Sequence, residues 1–298
     1  MVSPEYETLI ARLRSVDLTA VAPVEESRAK WEALAATFSI ADDVRFEAVD
    51  ANGVEAEWIT TPEANPDRII VYFHGGGYNV GTIKSYRNLG ARIARASNAP
   101  LLLVGYRLAP EHPCPAAVND ALAVYRWLLE DQRIDPSHLI AGGDSAGGGL
   151  AISMAVVARD AGLPMPGAIF AISPSTDLAK EGASVKERAH LDPLITYETS
   201  MAHARRYVGP DGDLKDPLAS PLYADLHGLP PLLLLAATND TLFDDATRMA
   251  EKARAAGVEV ELDVWEEMVH CWPLFADQIP EGRAAIEKVG SYARAVVP

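Results

Sequence analysis

The chain has 298 residues, of which 49% are apolar and 23% charged, the balance of an ordinary globular protein with one large core or two small ones. It carries 42 acidic against 26 basic residues, a formal charge of -16 that disfavours nucleic acids and membranes as partners. Its two cysteines, Cys114 and Cys271, exclude a disulfide scaffold, and no Cys/His spacing indicates a metal site. Since no signal peptide or membrane-length apolar run is visible, we expect a cytoplasmic protein.

The N-terminal segment, residues 1–43, shows helical periodicity. Leu9 and Leu13 recur at helical spacing, as do Trp31 and Leu34 further on, and the pattern breaks near Pro23. The sequence therefore predicts helices before the first strand.

Eight β-strands are predicted after this segment. The first two form a hairpin, because residues 44–49 alternate in polarity, Asn52-Gly53 is typical of a turn and residues 54–59 resume the strand. Six short, uniformly apolar strands follow, as expected of strands buried on both faces of a parallel sheet; they are residues 69–73, 101–104, 139–141, 168–172, 232–236 and 258–264. Helical segments lie between most of them, at residues 85–97, 119–131, 146–161 and 244–256. This order predicts an α/β fold with one mostly parallel, eight-stranded sheet flanked by helices.

One long interval, between Asp177 and Leu229, contains no convincing strand. It holds a predicted helix at residues 196–207 and a Pro-rich stretch, and long insertions of this kind often form lids. We interpret residues 1–43 and 179–225 as a helical cap over an α/β core of residues 44–178 and 226–298. The alternative is a purely connective loop.

The sharpest motif is Gly-Asp-Ser-Ala-Gly at residues 143–147, with Ser145 at its centre. It follows a predicted strand and opens a predicted helix, which is the placement of a nucleophile elbow. The helix N-terminus favours negative charge developing beside the hydroxyl. A glycine-rich turn without catalysis is the alternative, which the strand-turn-helix context disfavours.

A second motif, His-Gly-Gly-Gly at residues 74–77, ends a predicted strand upstream of Ser145. Consecutive glycines leave backbone N–H groups unobstructed, so that they can converge on an oxyanion. Combined with the downstream elbow, the run indicates more than an ordinary loop.

A serine nucleophile needs a base, and the base needs an orienting acid. His270 follows the last predicted strand, and the chain order Ser, Asp, His supports it as the base. Asp240 follows the penultimate strand and is the candidate acid, whereas Asp244 and Asp245 are expected to cap the N–H groups of the helix that begins there. The histidines without such placement are expected to be surface or structural residues; they are His138, His190, His203 and His227.

Taken together, His-Gly-Gly-Gly, Tyr-Arg-Leu-Ala-Pro-Glu-His-Pro at residues 106–113 and Gly-Asp-Ser-Ala-Gly-Gly closely resemble the hormone-sensitive-lipase-like esterases, bacterial family IV of the α/β-hydrolases. The resemblance runs from about residue 40 to the C-terminus and includes Asp-Pro-Leu-Ala-Ser-Pro at residues 216–221. It implies the α/β-hydrolase fold with a cap. It also implies an oxyanion hole formed by the N–H groups of Gly76, Gly77 and Ala146.

The sequence thus predicts a carboxylesterase that forms an acyl-enzyme on Ser145 and requires no cofactor or metal. No long apolar lid is visible, so we expect short to medium acyl esters as substrates. Lactone hydrolysis by the same residues is the alternative, since the C-terminal half also looks similar to monoterpene lactone hydrolases. A small-molecule receptor on this fold would lack the base, so His270 disfavours it. The oligomeric state, a homodimer included, is left open.

Three positions depart from the family pattern. Ser175 stands where Trp is frequent, Thr241 replaces a common proline after the acid, and Cys271 follows the base where Gly or Val is usual. These departures leave the triad intact and are expected to change the shape of the substrate pocket.

Overall fold

The structure is a computed structural model that describes residues 2–16 and 20–297. Its centre is one eight-stranded sheet, whose strands are β1 (Arg45–Asp50), β2 (Glu55–Thr60), β3 (Ile69–Phe73), β4 (Leu101–Val104), β5 (Leu139–Asp144), β6 (Ala168–Ile172), β7 (Leu232–Ala237) and β8 (Val260–Trp265). Their order in the sheet is β1-β2-β4-β3-β5-β6-β7-β8. β2 pairs antiparallel with β1 and β4, and the other pairs are parallel. The predicted fold class and hairpin are confirmed.

Helices precede the sheet, connect its strands and close the chain. They are α1 (Pro4–Ser15), α2 (Val24–Ala35), α3 (Ile83–Ser97), α4 (Ala116–Glu130), α5 (Ala146–Asp160), α6 (Ser184–Glu187), α7 (Tyr197–Val208), α8 (Phe243–Ala255) and α9 (Pro280–Val296). Helix α9 was not predicted from the sequence; it packs on α3, where a Cβ atom on Gly290 would overlap the backbone of Ala96. Among the described residues, none of the helices has the length and apolarity needed to cross a membrane.

Both faces of the sheet are covered, which explains why its inner parallel strands are uniformly apolar. The prediction of a uniformly apolar last strand is wrong, because the edge strand β8 alternates with Glu261 and Asp263 and is partly exposed. Leu139 and Ala141 of β5 belong to the core on one face, together with residues of α4, α5 and α8. Ile140 between them belongs to the core on the other face, which includes residues of α1, α3 and α9. Every side chain of such a strand is therefore withdrawn from water, whichever face it occupies.

The parallel strands all end at one edge of the sheet, so the loops that follow them meet there. The loop after β3, the turn after β5 and the loops after β7 and β8 carry all the residues that the sequence proposed for the site. Helices α2 and α7, from the two segments outside the sheet, lie over the same edge.

Candidate active site

Ser145 stands on the turn between β5 and α5. Its backbone has φ 51° and ψ −119°, a strained conformation for a residue with a side chain. Two glycines make the turn possible: a Cβ atom on Gly147 would overlap the carbonyl oxygen of Phe73, and one on Gly143 would overlap the backbone of Gly147. The local geometry is that of a nucleophile elbow, with the hydroxyl at the N-terminus of a helix.

The structure brings the three proposed triad residues together. His270 Nε2 lies 2.9 Å from Ser145 Oγ, and His270 Nδ1 lies 3.0 Å from each carboxylate oxygen of Asp240. The loops after β7 and β8 are joined directly, because the Asn239 N–H donates to the carbonyl oxygen of Met268 at 2.9 Å. All three site residues are buried, so water screens these contacts little.

The protonation of His270 is set by two opposing influences. Burial lowers the pKa of the imidazole, but the Asp240 carboxylate and the adjacent Cys271 together raise this pKa well above the usual 6.5. Cys271 Sγ lies 3.4 Å from Nε2, and burial raises the pKa of this thiol to about 12, so it carries no charge. Cys271 has φ 48°, a left-handed conformation that glycine adopts at no cost. A glycine at this position would therefore adopt the same backbone without strain.

Asp192, a residue that sequence reasoning missed, joins the loops that carry the acid and the base. Its Oδ2 accepts hydrogen bonds from the N–H groups of Thr241 and His270, both at 3.3 Å, and its Oδ1 accepts one from Leu194 at 2.9 Å. The bond from Thr241 depends on a departure from the family pattern, because a proline there has no N–H to donate. Burial and the nearby charge of Asp240 raise the pKa of Asp192 to about 7.

The glycine loop after β3 lies beside the elbow. Gly76 and Gly77 have φ 103° and 61°, and a Cβ atom on Gly76 would overlap the carbonyl oxygen of Val80. Ala146 is the first residue of α5, where a helix leaves its N–H unpaired. Within the described part of the chain, the N–H groups of Gly76, Gly77 and Ala146 have no hydrogen-bond acceptor.

Asp144, inside the Gly-Asp-Ser-Ala-Gly motif, ties this loop to the elbow. Its buried carboxylate accepts hydrogen bonds from the hydroxyls of Tyr72 and Tyr86, at 2.8 and 3.1 Å, and from the N–H of Gly75 at 3.0 Å. Burial raises the pKa of Asp144. The Asp144 carboxylate therefore fixes the position of the glycine loop relative to Ser145.

The segment at residues 106–113 and helix α2 support the same loop from outside. The Tyr106 hydroxyl donates to the carbonyl oxygen of His74 at 2.7 Å, and the two rings stack with centroids 4.3 Å apart. Arg28 of α2 donates to the carbonyl oxygens of Asn79 and Ala109, at 2.9 and 3.1 Å. Burial lowers the pKa of His74 to about 4, which keeps the ring neutral in this stack.

A cavity of about 180 Å³ contains Ser145 and His270 in its lining. One group of lining residues, here named the base-side wall, is apolar and contacts the loops that carry the acid and the base. Thr241 Oγ1 donates to the carbonyl oxygen of Ile195, and the N–H of Leu274 donates to that of Cys271. The base-side wall consists of Leu194, Ile195, Leu274 and Phe275.

A second group of lining residues, here named the polar wall, consists of Ser175, Ser200 and His203. His203 packs against the glycine loop: Asn79 Nδ2 donates to its carbonyl oxygen at 3.2 Å, and a Cβ atom on Gly77 would overlap its ring. Burial lowers the pKa of His203 to about 4, so the ring is neutral. His203, predicted as a surface or structural residue, therefore supports the glycine loop and also lines the cavity. Its position on an insert helix gave no signal, because the cavity forms only when the insert folds over the sheet edge.

The predicted capping roles of Asp244 and Asp245 are also wrong, because α8 has no side-chain cap. Asp244 accepts a hydrogen bond from the N–H of Ser184 at 2.9 Å. Asp245 is fully buried and accepts hydrogen bonds from the N–H groups of Thr176 and Asp177, at 2.8 and 2.9 Å. Both carboxylates therefore fasten the chain after β6, not their own helix.

Metal-binding side chains do not cluster in this protein: among the described residues, no group of three or more His, Cys, Asp and Glu side chains could hold a metal ion. What the geometry offers is an activated hydroxyl, unpaired backbone N–H groups and an enclosed space beside them.

Comparisons with known proteins agree with this geometry. Residues 70–274 match a family model described as the alpha/beta hydrolase fold. Over 294 residues the chain is 38% identical to an acetyl-hydrolase of Streptomyces hygroscopicus, covering 99% of this chain and 97% of the relative. It is 34% identical to the carboxylesterase NlhH of Mycobacterium tuberculosis, covering 92% and 89%.

The structure is similar to the crystal structure of an esterase from the bacterial hormone-sensitive lipase family, with a TM-score of 0.96 and 41% identity over the whole of both chains. The resemblance found in the sequence motifs is thereby confirmed. The chain belongs to the hormone-sensitive-lipase-like esterases of the α/β-hydrolase fold family.

Proposed function

We propose that this protein hydrolyses carboxylic esters with Ser145 as nucleophile, His270 as general base and Asp240 as the acid that orients the base. One observation carries the proposal: an unbroken hydrogen-bond chain runs from Ser145 Oγ through both ring nitrogens of His270 to Asp240. Serine acyl transfer requires this order of groups. The membership in an esterase family supports the same reaction.

In the acylation step, neutral His270 takes the Ser145 proton on Nε2 while Oγ attacks the ester carbonyl. Asp240 accepts the hydrogen bond of the Nδ1 proton, which fixes the tautomer and offsets the charge of the imidazolium. The imidazolium then donates its Nε2 proton to the leaving alcohol, and the acyl group stays on Ser145. Water repeats the sequence with the same base and releases the carboxylic acid.

The oxyanion that forms in both steps needs hydrogen-bond donors. We assign this role to the N–H groups of Gly76, Gly77 and Ala146, which have no acceptor among the described residues. A donor of this kind contributes about 10²–10³-fold to the rate, because it is held in place before charge develops. Asp144, through Gly75, keeps the donors aligned with Ser145.

We assign residues 1–43 and 179–225 to a cap that bounds the substrate site, over a core of residues 44–178 and 226–298. Helix α2 contributes Trp31 and α7 contributes Ser200 to the cavity lining, which supports this division. The helices of the cap are short, so we expect esters with short to medium acyl chains to react faster than long-chain triglycerides. Lactones, as cyclic esters, would react by the same steps and belong in the same substrate panel.

The direct test replaces the nucleophile. Ser145→Ala should abolish hydrolysis of p-nitrophenyl butyrate and labelling by a fluorophosphonate probe, while the circular dichroism spectrum stays that of the wild type. Ser153→Ala is the matched control, since Ser153 lies on the same helix, is buried and faces no proposed group. Turnover by the Ser145 variant, or labelling at another serine, would refute the assignment. Faster wild-type hydrolysis of emulsified triolein than of a butyrate ester would refute the substrate range.

A further inference from the structure

The polar wall of the cavity offers hydrogen-bonding groups that the protein itself does not use. Within the described part of the chain, the Ser200 hydroxyl and the His203 ring have no hydrogen-bond partner, although Ser200 is only 4% exposed. These polar atoms face the cavity, so a ligand that displaces the water there must replace its hydrogen bonds or lose affinity. Such groups are expected where a ligand supplies the missing partners.

Ser175, the third member of the wall, is polarised by a buried cation. Lys180 Nζ donates to Ser175 Oγ at 3.1 Å and lies 3.6 Å from Asp245 Oδ2. The side chain of Lys180 is 1% exposed, and that of Asp245 is 0% exposed. Because Ser175 Oγ accepts from the ammonium group and has no other partner among the described residues, its own proton is free for the cavity. A hydroxyl next to a cation is a stronger donor than an isolated one.

The position of the polar wall identifies which part of a substrate it meets. The leaving alcohol must receive its proton from His270 Nε2, so the alcohol lies along the base-side wall. The polar wall contacts the nucleophile elbow and the glycine loop instead: the Ser175 N–H donates to the carbonyl oxygen of Ser145 at 2.9 Å, and His203 packs on the glycine loop. The acyl part of the ester therefore faces the polar wall.

The charges around the cavity favour an anion. The lining contains three basic side chains and one acidic side chain, Asp144. Lys30 pairs with Glu26 at 2.8 Å and Lys180 with Asp245 at 3.6 Å, whereas Arg206 has no carboxylate partner among the described residues. The chain as a whole has the opposite balance, with 42 acidic and 26 basic residues. The oxygens of Asp144 are already bonded to Tyr72, Tyr86 and Gly75, behind the glycine loop.

We propose that the polar wall is an acyl subsite for a carboxylate, so that the preferred substrates are half-esters of short dicarboxylic acids. This inference rests on the proposed ester hydrolysis at Ser145 and narrows its substrate class. The carboxylate accepts from the hydroxyls of Ser175 and Ser200, and the ammonium group of Lys180 polarises the Ser175 hydroxyl from behind. An alkyl chain in the same place would leave these hydroxyls unpaired.

Three methyl esters of matched shape test the proposal: monomethyl succinate, methyl 4-oxopentanoate and methyl 4-methylpentanoate, which end in a carboxylate, a ketone and an isopropyl group. Each kcat/KM is divided by the rate constant of alkaline hydrolysis, which removes differences in intrinsic reactivity. For the wild type we expect the succinate value to exceed that of the isopropyl analogue by about tenfold or more, the usual gain from a charge-assisted hydrogen bond.

The variants separate the donor from the charge. Ser175→Ala removes the donor and should reduce the succinate preference to near one. Lys180→Met would leave Asp245 buried and unpaired, so the double variant Lys180→Met/Asp245→Asn is used; it keeps the buried pair neutral and should also abolish the preference. Leu274→Ala, on the base-side wall, is the control and should change the three rates together without changing their ratio.

Every outcome bears on the proposal. A wild type that hydrolyses all three esters but prefers the isopropyl analogue overturns the acyl subsite and leaves the ester hydrolase intact. A ketone that reacts as fast as the carboxylate overturns the anionic class, as does an unchanged preference in Ser175→Ala. Failure of the wild type to hydrolyse any ester, p-nitrophenyl butyrate included, overturns the proposed function and this inference together.

Discussion

The loops around Ser145 and the polar wall are held by different kinds of contact. At Gly76, Gly143 and Gly147 a Cβ atom would overlap backbone atoms of a neighbouring segment, so the main chain itself dictates the residue. The polar wall is defined by side chains, such as Ser175 and Ser200, that meet the cavity. Changes near Ser145 should therefore lower the turnover of every ester, whereas changes in the polar wall should alter which ester is preferred.

The largest effect is expected from the acid of the triad, compared with a second buried carboxylate five residues later. Asp240→Asn should cut kcat for all esters by about 10³–10⁴-fold, because His270 loses its tautomer and its counter-charge. Asp245→Asn should retain most of the turnover of an apolar ester but lower the free energy of unfolding by about 3 kcal/mol, because Lys180 loses its buried partner. Kinetics on p-nitrophenyl butyrate and urea unfolding measure the two effects. An exchange of the two phenotypes would move the role of the acid to Asp245.

Asp240 and Asp245 also show which features could be predicted from the sequence and which could not. The strand-to-helix elbow, the order Ser, Asp, His and the uniformly apolar strands are local patterns, and they placed Ser145, Asp240 and His270 at one sheet edge, where the structure brings them together. The partners of Asp245 are more than sixty residues away along the chain, and no local pattern encodes them. Proximity to the start of a helix suggested a cap, but N–H groups of the chain after β6 donate to Asp245 Oδ2 instead, and Oδ1 has no partner among the described residues.

The residues of the site that were not predicted from the sequence also depend on partners that are distant along the chain. Asp192 lies in a segment without periodicity, and His203 lies on a helix whose orientation depends on how the insert folds back. Their roles arise from contacts between the insert and the sheet edge. The departures at Ser175 and Thr241 were visible in the sequence, but their partners, Lys180 and Asp192, became visible only in the structure.

A smaller effect is expected from the glycine loop. Gly76→Ala forces a side chain onto a backbone with φ 103° and against the carbonyl oxygen of Val80, so the loop must shift and its N–H groups leave the oxyanion. We expect kcat to fall by about 10²-fold for every ester, with the ratio among the matched methyl esters unchanged.

The matched control for this substitution lies in the β1–β2 turn. Gly53 has φ 84° and open space beside it, since no atom lies within 4 Å of the point that a Cβ atom would occupy. Gly53→Ala carries a similar backbone strain and should lower stability without changing kcat. Equal kinetic effects of the two substitutions would show that strain alone, and not the oxyanion contact, explains the loss.

The smallest effect is expected at Asp192, where the insert touches the acid and base loops together. Activity requires neutral His270, so it is lost as the pH falls through the raised pKa of this base. The pKa of Asp192 is about 7, so at higher pH Asp192 is an anion that faces Asp240 and His270. The nearby Tyr6 is uncharged, because burial raises its pKa. An anion stabilises the imidazolium, so Asp192→Asn should lower the pKa of His270 and move the acid limb of kcat/KM to lower pH, by about one unit.

The amide oxygen of the Asp192→Asn variant still accepts hydrogen bonds from the two N–H groups, so kcat at high pH should change little. Glu57→Gln, a buried acid on β2 at the far side of the sheet, should leave the limb in place. A limb that stays fixed or moves to higher pH in Asp192→Asn would show that this carboxylate only holds the loops.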